Sequence, residues 1–554
     1  MKRYINIKTS FLILAAATIV GSSCTKLHEN LTSTLTTTDA NKFSGLFLQS
    51  AYNDIGVVYE DLGNIIQLQE VSGDECFIPI RGTDWFDGGY HVQLHQHNWT
   101  RSSVALLETE FTALNKMNYD ATSVLGTDAT ADQLAQARFI RCIALYDLLD
   151  LFGQYPIRQP GDNLLLAPPV KSGDSAVQFI ISELTTSIAN LSPSNGVTLA
   201  NQDAARALLM KVYLNRGVFN AASRANPSFA DADMQQVITL GQTIMANSSH
   251  SLDTTYFDIF SPNNSTNSEV LFSLPNSHGA NTGSGFYGNI ENQWFSTLHY
   301  NQYTPLNPQA GWNGFSTMSE FYNTFGVNGT IPTQTPADTV LDERIGGTVY
   351  PGETDVSGLR TGILIGQQYD QTGAKEQDRH NNNLIFTNAE EVPSTIDVSL
   401  LPSIETSGYR VVKYIPDYSN KVNSYQVPGN YYDLLRYADV ILMVAEAKMR
   451  AATQDNAGAL ALVNTLRKAR KAPALTTMSL NTTNVYETNT LLAERGRELY
   501  WEGQRRTDLI RFGVWSQPWR LKAADNGNFY VFPIPLDDLN SNPNLIPNVQ
   551  GTSY

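Results

Sequence analysis

Residues 81–99, RGTDWFDGGYHVQLHQHNW, carry two tryptophans, three histidines and two aspartates within nineteen positions. Residues of these types can do three kinds of chemistry. Imidazoles gathered on one side hold zinc, and paired carboxylates cleave a glycosidic bond. Flat indoles beside a carboxylate and a guanidinium hold a ring-shaped, hydroxyl-rich ligand. For zinc, a strand would place His91, His95 and His97 on one face. No fourth ligand and no H-E-x-x-H spacing accompanies them, so neither a metal nor a cofactor is expected. For cleavage, two carboxylates must flank the scissile bond. Asp74, Glu75, Asp84 and Asp87 are available, but loop acids are common in a chain of formal net charge −16. A secreted glycoside hydrolase is therefore the weaker reading, and no catalytic residue is assigned.

The third chemistry fits best. A sugar ring has an apolar C–H face, and burying it against an indole contributes about 1–2 kcal/mol at roughly 25 cal/mol per Å². Its hydroxyls need fixed partners, because a buried polar group left unpaired is costly. Trp85 lies among glycines and turn formers in RGTDWFDGG, which predicts an exposed loop, with Asp84 and Arg81 beside it as a hydroxyl-binding pair. Trp312, in NPQAGWNGF, has the same Gly/Asn setting. Trp294 and Tyr300, in ENQWFSTLHYNQY, are further ligand-binding candidates, although one face of that segment could be core. Trp99 ends an alternating run and is expected to be packed. Trp501, Trp515 and Trp519, in or after the last helical pattern, are expected to be structural. Asp74 and Glu75 either touch ligand or cap a turn.

The elements that must position these residues come in three parts. Residues 1–23 read as a secretory signal: Lys2, Arg3 and Lys8, then the ten apolar-run residues Phe11–Val20, too short to stay in a bilayer as a spanning helix. The small residues VGSSC then lead to Cys24, the expected site of acylation, although Gly21 stands where a lipobox usually has Leu or Val. Removing the signal takes away three cations and no acid, and so acidic a chain has little reason to bind nucleic acid. Residues 24–40 are a polar, Thr-rich tether. Residues 41–554 are expected to form one domain, with helical scaffold over about 41–247 and 430–513 and a loop-rich ligand-binding section over about 250–428.

Within the scaffold, DQLAQARFIRCIALYDLLDLFGQYPI places Leu134, Phe139, Ile143, Tyr146 and Leu149 near one helix face, stopped by Gly153 and Pro156. DAARALLMKVYLNRG is a second helix with Gly217 as its expected C-cap. YYDLLRYADVILMVAEAKMR is a third, with Leu434, Ala438, Ile441 and Ala445 in register. LLAERGRELYWEGQRRTDLIRFG is a fourth, ending at Gly513. In the loop-rich section strands are expected at Glu269–Leu274 and Tyr409–Tyr414. Eleven aromatics fall within the forty residues 286–325, where the chain's 10% average predicts four. This pattern suggests aromatic loops laid over a helical scaffold. Cys142 reads as a buried thiol. A disulfide with Cys76 is possible, but no cysteine framework exists.

Four segments, ARFIRCIALYDLLDLFGQYPI, LLRYADVILMVAEAKMR, ERGRELYWEGQRRTDLIRFG and VFPIPLDDLNSNPNLIPN, resemble the SusD/RagB outer-membrane lipoproteins in content and order. The resemblance implies a mainly α fold of eight scaffold helices in four TPR-like pairs, with an irregular loop section carrying short strands. No 34-residue repeat is visible in the sequence itself. It also implies a surface-exposed, lipid-anchored binding protein of the outer membrane. Such a protein would capture oligo- or polysaccharide beside a SusC-like TonB-dependent transporter and close over it as a lid. Peptide or other nutrient capture on the same architecture is the alternative. The aromatic count disfavours it. The glycan stays open among fructan, glucan, xylan and host glycans.

Overall fold

The computed structural model describes residues 43–548 apart from 82–83, 101–104, 222–223, 277–288, 305–306, 327–340, 350–359, 371, 389–404, 418–427 and 526. Only backbone is described at 289, 303–304, 307–310 and 348–349. The expected signal, the tether, Cys24, Phe286 and Tyr287 lie outside the described residues.

Among the described residues, the long helices form one array. They are α1 (Ser44–Tyr59), α2 (Leu106–Leu125), α3 (Ala131–Phe152), α4 (Gly173–Asn190), α5 (Gln202–Phe219), α6 (Asp231–Met245), α7 (Tyr437–Arg450) and α8 (Asn456–Ala469). Each packs on the next, α1 on α2 through to α7 on α8, which gives four successive pairs. Local chemistry starts several of them. Thr130 and Gln133 form a reciprocal capping box on α3, and Asn201 and Asp455 accept backbone N–H bonds at the starts of α5 and α8. The single apolar face expected for α3 is wrong. Ala135 to Phe152 is buried on nearly all sides except Arg138, because α1, α2 and α4 all pack against this helix.

Two helix ends also differ from expectation. Gly217 does not cap α5. It lies inside the helix, where a Cβ would stand 1.9 Å from the Ser228 carbonyl oxygen, so it permits close approach of the 228 loop. The last pattern is not one helix but two, α9 (Leu491–Leu499) and α10 (Arg505–Arg511). Trp501 and Gly503, both left-handed, make the turn between them.

The section between α6 and α7 carries short strands, among them β1 (Val270–Leu274), β2 (Gly346–Val349), β3 (Arg360–Leu364), β4 (Arg410–Val412) and β5 (Tyr432–Arg436). β1 pairs antiparallel with β5, Leu274 opposite Tyr432, so both ends of the section are tied together at the scaffold. β4, β3 and β2 form a small antiparallel sheet in that order. The aromatic-rich stretch is mostly interior. Trp294, Phe295, Phe315, Phe321, Tyr322 and Phe325 belong to the same continuous core as Phe139 and Leu148 of α3. The aromatics thus fasten the section to the helices more than they decorate its surface.

A buried ion network completes the fastening. Glu498 of α9 receives Arg470 (2.7 Å), Arg344 (3.1 Å) and Arg436 (3.2 Å), and Glu269 bonds Arg436 and Arg470 at 2.6 Å each. Burial alone would push the Glu498 carboxyl up, but Arg470 and Arg436 outweigh it and hold it at about 2. Asp74 and Glu75 belong to a second such group. Asp74 bonds Arg505 and Glu75 accepts the Trp501 backbone N–H, so both are structural. Cys76 and Cys142 are separate, buried free thiols. No helix among the described residues is long and apolar enough to cross a membrane.

Candidate functional site

The site is assembled from four loops. At its head, Arg81 and Asp84 exchange backbone hydrogen bonds (2.9 and 3.2 Å), and the chain then enters Trp85, Asp87, Gly88 and Gly89, all left-handed. A bulky residue at φ 58°, as Trp85 is, stores backbone strain and persists only where its surroundings over-determine it. Here they do. The Trp85 indole N–H donates to the Trp312 carbonyl at 2.7 Å, and its ring rests on Gly314, where a Cβ would lie 2.3 Å from Cζ2. Phe315 meets the ring edge-on at 6.0 Å.

Trp312 is held in turn by its own backbone. Its N–H donates to Phe295 O (2.7 Å), and Asn313 and Gly314 donate to Leu298 O and Ser296 O. The two tryptophans expected to cooperate, more than two hundred residues apart, are therefore bonded neighbours. Both are half-buried.

Tyr300 and Asp84 extend the line. The Tyr300 hydroxyl donates to Asp84 Oδ2 at 2.6 Å, and burial together with that carboxylate pushes the phenol above its ordinary value, so it remains a donor. The Arg379 guanidinium lies 3.7 Å over the Tyr300 ring, 3.9 Å from Asp84 and 3.2 Å from Glu405. The Asp84 and Arg379 side chains are 46% and 45% exposed, which leaves both open to a ligand. Glu405 anchors the group from below, bonded to His299 (2.9 Å) and to the Arg379 backbone N–H. Burial raises its carboxyl, but those hydrogen bonds outweigh burial and hold it at about 2.

Two expected ligand residues take other places. Arg81 is buried, and its guanidinium donates to Ser316 Oγ (2.8 Å) and to the carbonyls of Ser407 and Glu405. It is a strut between loops, because a guanidinium among carbonyls is satisfied only when enclosed by them. Trp294 is 1% exposed and sits in the core, out of reach of a ligand. Sequence reasoning missed Arg379, His299 and Glu405. The only signal for Arg379 was the polar run DRHNNN, which by itself reads as a turn.

The histidines diverge. Tyr90–Gln96 is a helix, not a strand, and His97 ends it in a left-handed cap. His91 meets Asp87 (3.0 Å) and Gln67, His95 meets the carbonyls of Val71 and Arg520, and His97 meets Asp525 (2.7 Å) and Ser72 O. Burial, against the pull of Asp87, pushes His91 down to about 4. Among the described residues no three His, Cys, Asp or Glu side chains are grouped to hold a metal ion. Trp99, Trp501, Trp515 and Trp519 are all core residues.

Four sequential helix pairs carrying a long loop-built face define the SusD-like fold. The SusD family model matches residues 268–524, and over that span the chain is similar to the SusD/RagB family. The starch-binding protein SusD of Bacteroides thetaiotaomicron is 26% identical over 515 residues, covering 86% of this chain and 84% of that protein. Two solved structures share the fold. NanU of B. fragilis has a TM-score of 0.64 at 18% identity, covering 93% of this chain and 99% of that one. Surface glycan-binding protein A of B. thetaiotaomicron, in complex with laminarihexaose, has a TM-score of 0.63 at 14% identity, covering 92% and 99%.

Proposed function

We propose that this chain is a cell-surface lipoprotein, acylated at Cys24, that binds oligo- or polysaccharide by aromatic stacking. It passes the ligand to a SusC-like TonB-dependent transporter and closes over it as a lid. It is a binding protein and not an enzyme. One observation carries the reading: Trp85 is strained, half-buried and locked to Trp312 by a 2.7 Å hydrogen bond. Beside the locked indoles stand a carboxylate, a phenol and a guanidinium with exposed edges. The platform is held rigid before ligand arrives, so less ordering entropy is lost on binding. The relatives named for starch binding and the laminarihexaose complex support a glycan as ligand. The Arg379 charge is offset by Asp84 and Glu405, which favours a neutral sugar over an anionic one.

Affinity electrophoresis and calorimetry against fructan, glucan, xylan and host glycans test the reading. We expect at least one to bind with micromolar to millimolar Kd. Trp85→Ala and Trp312→Ala should each abolish that binding while leaving the melting temperature within a few degrees. Retained affinity in both variants would overturn the site. Absence of binding across the panel would overturn the glycan reading, and release of new reducing ends would overturn the non-enzymatic one. The transporter should copurify with the chain from membranes in mild detergent.

A further inference from the structure

Arg379 reaches the site from a hairpin, Gly366–Gln367 paired antiparallel with Ile385–Phe386. The turn that carries it is held by its own side chains. The Asp378 carboxylate accepts the His380 and Asn382 backbone N–H groups (2.8 and 2.9 Å), and Asn381 is left-handed. The Asn301 amide donates to Gln377 O at 2.8 Å, which ties the turn to the Tyr300 loop. The Arg379 side chain is then fixed twice. Its Cζ lies 3.7 Å from the centre of the Tyr300 ring, and its Nε donates to Glu405 Oε2 at 3.2 Å. An exposed arginine ordinarily keeps its rotamer freedom; here much of it is spent before any ligand arrives.

Those contacts use neither terminal nitrogen. Among the described residues, Arg379 Nη1 and Nη2 donate to no group, and the side chain is half-exposed. Asp84 is the matching acceptor. Its Oδ2 takes the Tyr300 hydroxyl, its Oδ1 accepts no hydrogen bond among the described residues, and it is equally exposed. Nη1 and Asp84 Oδ2 stand 3.9 Å apart, too far for a direct hydrogen bond. The gap leaves room for one hydroxyl at about 2.8 Å from each, accepting from the guanidinium and donating to the carboxylate. A hydroxyl on the next carbon then meets Nη2, because the two prongs of a guanidinium suit a pair of neighbouring oxygens.

Resting on the glycan reading of the Trp85 site, we infer that Arg379 and Asp84 together read a vicinal diol, so the site takes glycans whose chain rings carry free hydroxyls on adjacent carbons. A 1,4-linked glucan or xylan has that pair at positions 2 and 3 of its internal rings, and a 2,1-linked fructan has it at positions 3 and 4. The internal ring of a linear 1,3-linked glucan lacks it, because the linkage oxygen separates the hydroxyls at 2 and 4. A ligand carboxylate or sulfate would also suit the fork, but it would stand beside the Asp84 and Glu405 carboxylates and be repelled by both.

Calorimetry with four soluble polymers tests this: 1,4-linked glucan, 1,4-linked xylan, 2,1-linked fructan and linear 1,3-linked glucan, all long enough that chain ends are a minor fraction. The best of the first three should bind at least about tenfold more tightly than the 1,3-linked glucan, as expected for lost hydrogen bonds to charged groups. Arg379→Ala should weaken that best binder by about tenfold or more with little change in melting temperature. Arg379→Lys keeps the charge beside Glu405 but not the fork, so it should not restore binding. Equal or tighter binding of the 1,3-linked glucan would overturn the inference, as would full rescue by lysine or parental affinity in Arg379→Ala. If that 1,3-linked glucan binding is lost in Trp85→Ala, the stacking site stands and the diol reading alone falls. Silence on all four polymers also overturns the inference, and the glycan reading falls with it only if the host glycans are silent too.

Discussion

Replacing Gly314 with alanine tests the site without touching any group proposed to meet ligand. A Cβ at 314 would lie 2.3, 2.4 and 2.7 Å from Cζ2, Cε2 and Cη2 of Trp85, where carbon atoms ordinarily approach to about 3.5 Å. The indole must therefore retreat by about 1 Å, with Phe315 at its edge limiting where it can go. That movement breaks the 2.7 Å bond from Trp85 Nε1 to the Trp312 carbonyl. A net hydrogen bond is worth about 1 kcal/mol, and a misplaced stacking ring forfeits much of its 1–2 kcal/mol. Together these predict a loss of roughly 1.5–3 kcal/mol in ligand binding, a tenfold to hundredfold rise in Kd. Gly314 is not among the left-handed residues, so alanine adds no backbone penalty of its own. Calorimetry on the glycan that binds best measures Kd, and thermal unfolding checks the fold. If Gly314→Ala binds like the parent while Trp85→Ala does not, the positioning argument is refuted, because Trp85 would then act without being held by Trp312.

Three further outcomes follow from the same geometry. Trp294→Phe should lower stability, since its indole fills core space, yet leave glycan Kd within about twofold. A large Kd change at constant stability would return Trp294 to the site. Glu498→Ala should cost about 3–5 kcal/mol by urea unfolding, because the buried cluster of Arg470, Arg344 and Arg436 loses a shared carboxylate and is left with one positive charge less well compensated. This holds even though Glu269 still meets Arg470 and Arg436 and Asp342 still meets Arg344. A loss under about 1 kcal/mol would show that the network is not fastening the loop section. His91 is buried with its pKa down at about 4, so the unfolded chain takes up this proton first as pH falls. Its contribution is complete above about 6.5 and is lost progressively toward pH 4, up to about 3 kcal/mol in all. Melting temperatures of the parent and His91→Gln should therefore converge between pH 7 and 4, and a constant difference would rule out a neutral buried imidazole.

Two kinds of information were legible in the chain itself. The helical blocks were visible because their apolar residues recur with helical spacing and their ends carry stop signals, as at Gly153 and Pro156. Trp85 and Trp312 stood out because glycine and asparagine flanks mark loops, whatever those loops later pack against. Burial was not legible wherever a residue's periodicity is shared by core and surface. Trp294 and Trp312 have similar aromatic neighbourhoods in sequence, yet one is in the core and the other half-exposed. Only the packing of residues 311–315 on 295–298 separates them.

Long-range pairing was equally hidden. Arg81 reads as a ligand-facing cation until the carbonyls of residues 405 and 407 close around it. Arg379 and Glu405 have no signature until folding brings them to Tyr300 and His299. The helix at 90–96 defeated the strand reading because an apolar–polar alternation only six residues long does not distinguish the two periods, and contacts from Gln67, Val71 and Asp525 decided it. The sequence determined which residues could stack or donate. The tertiary structure decided which of them meet, since a hydrogen bond between positions 85 and 312 is specified by everything folded between them.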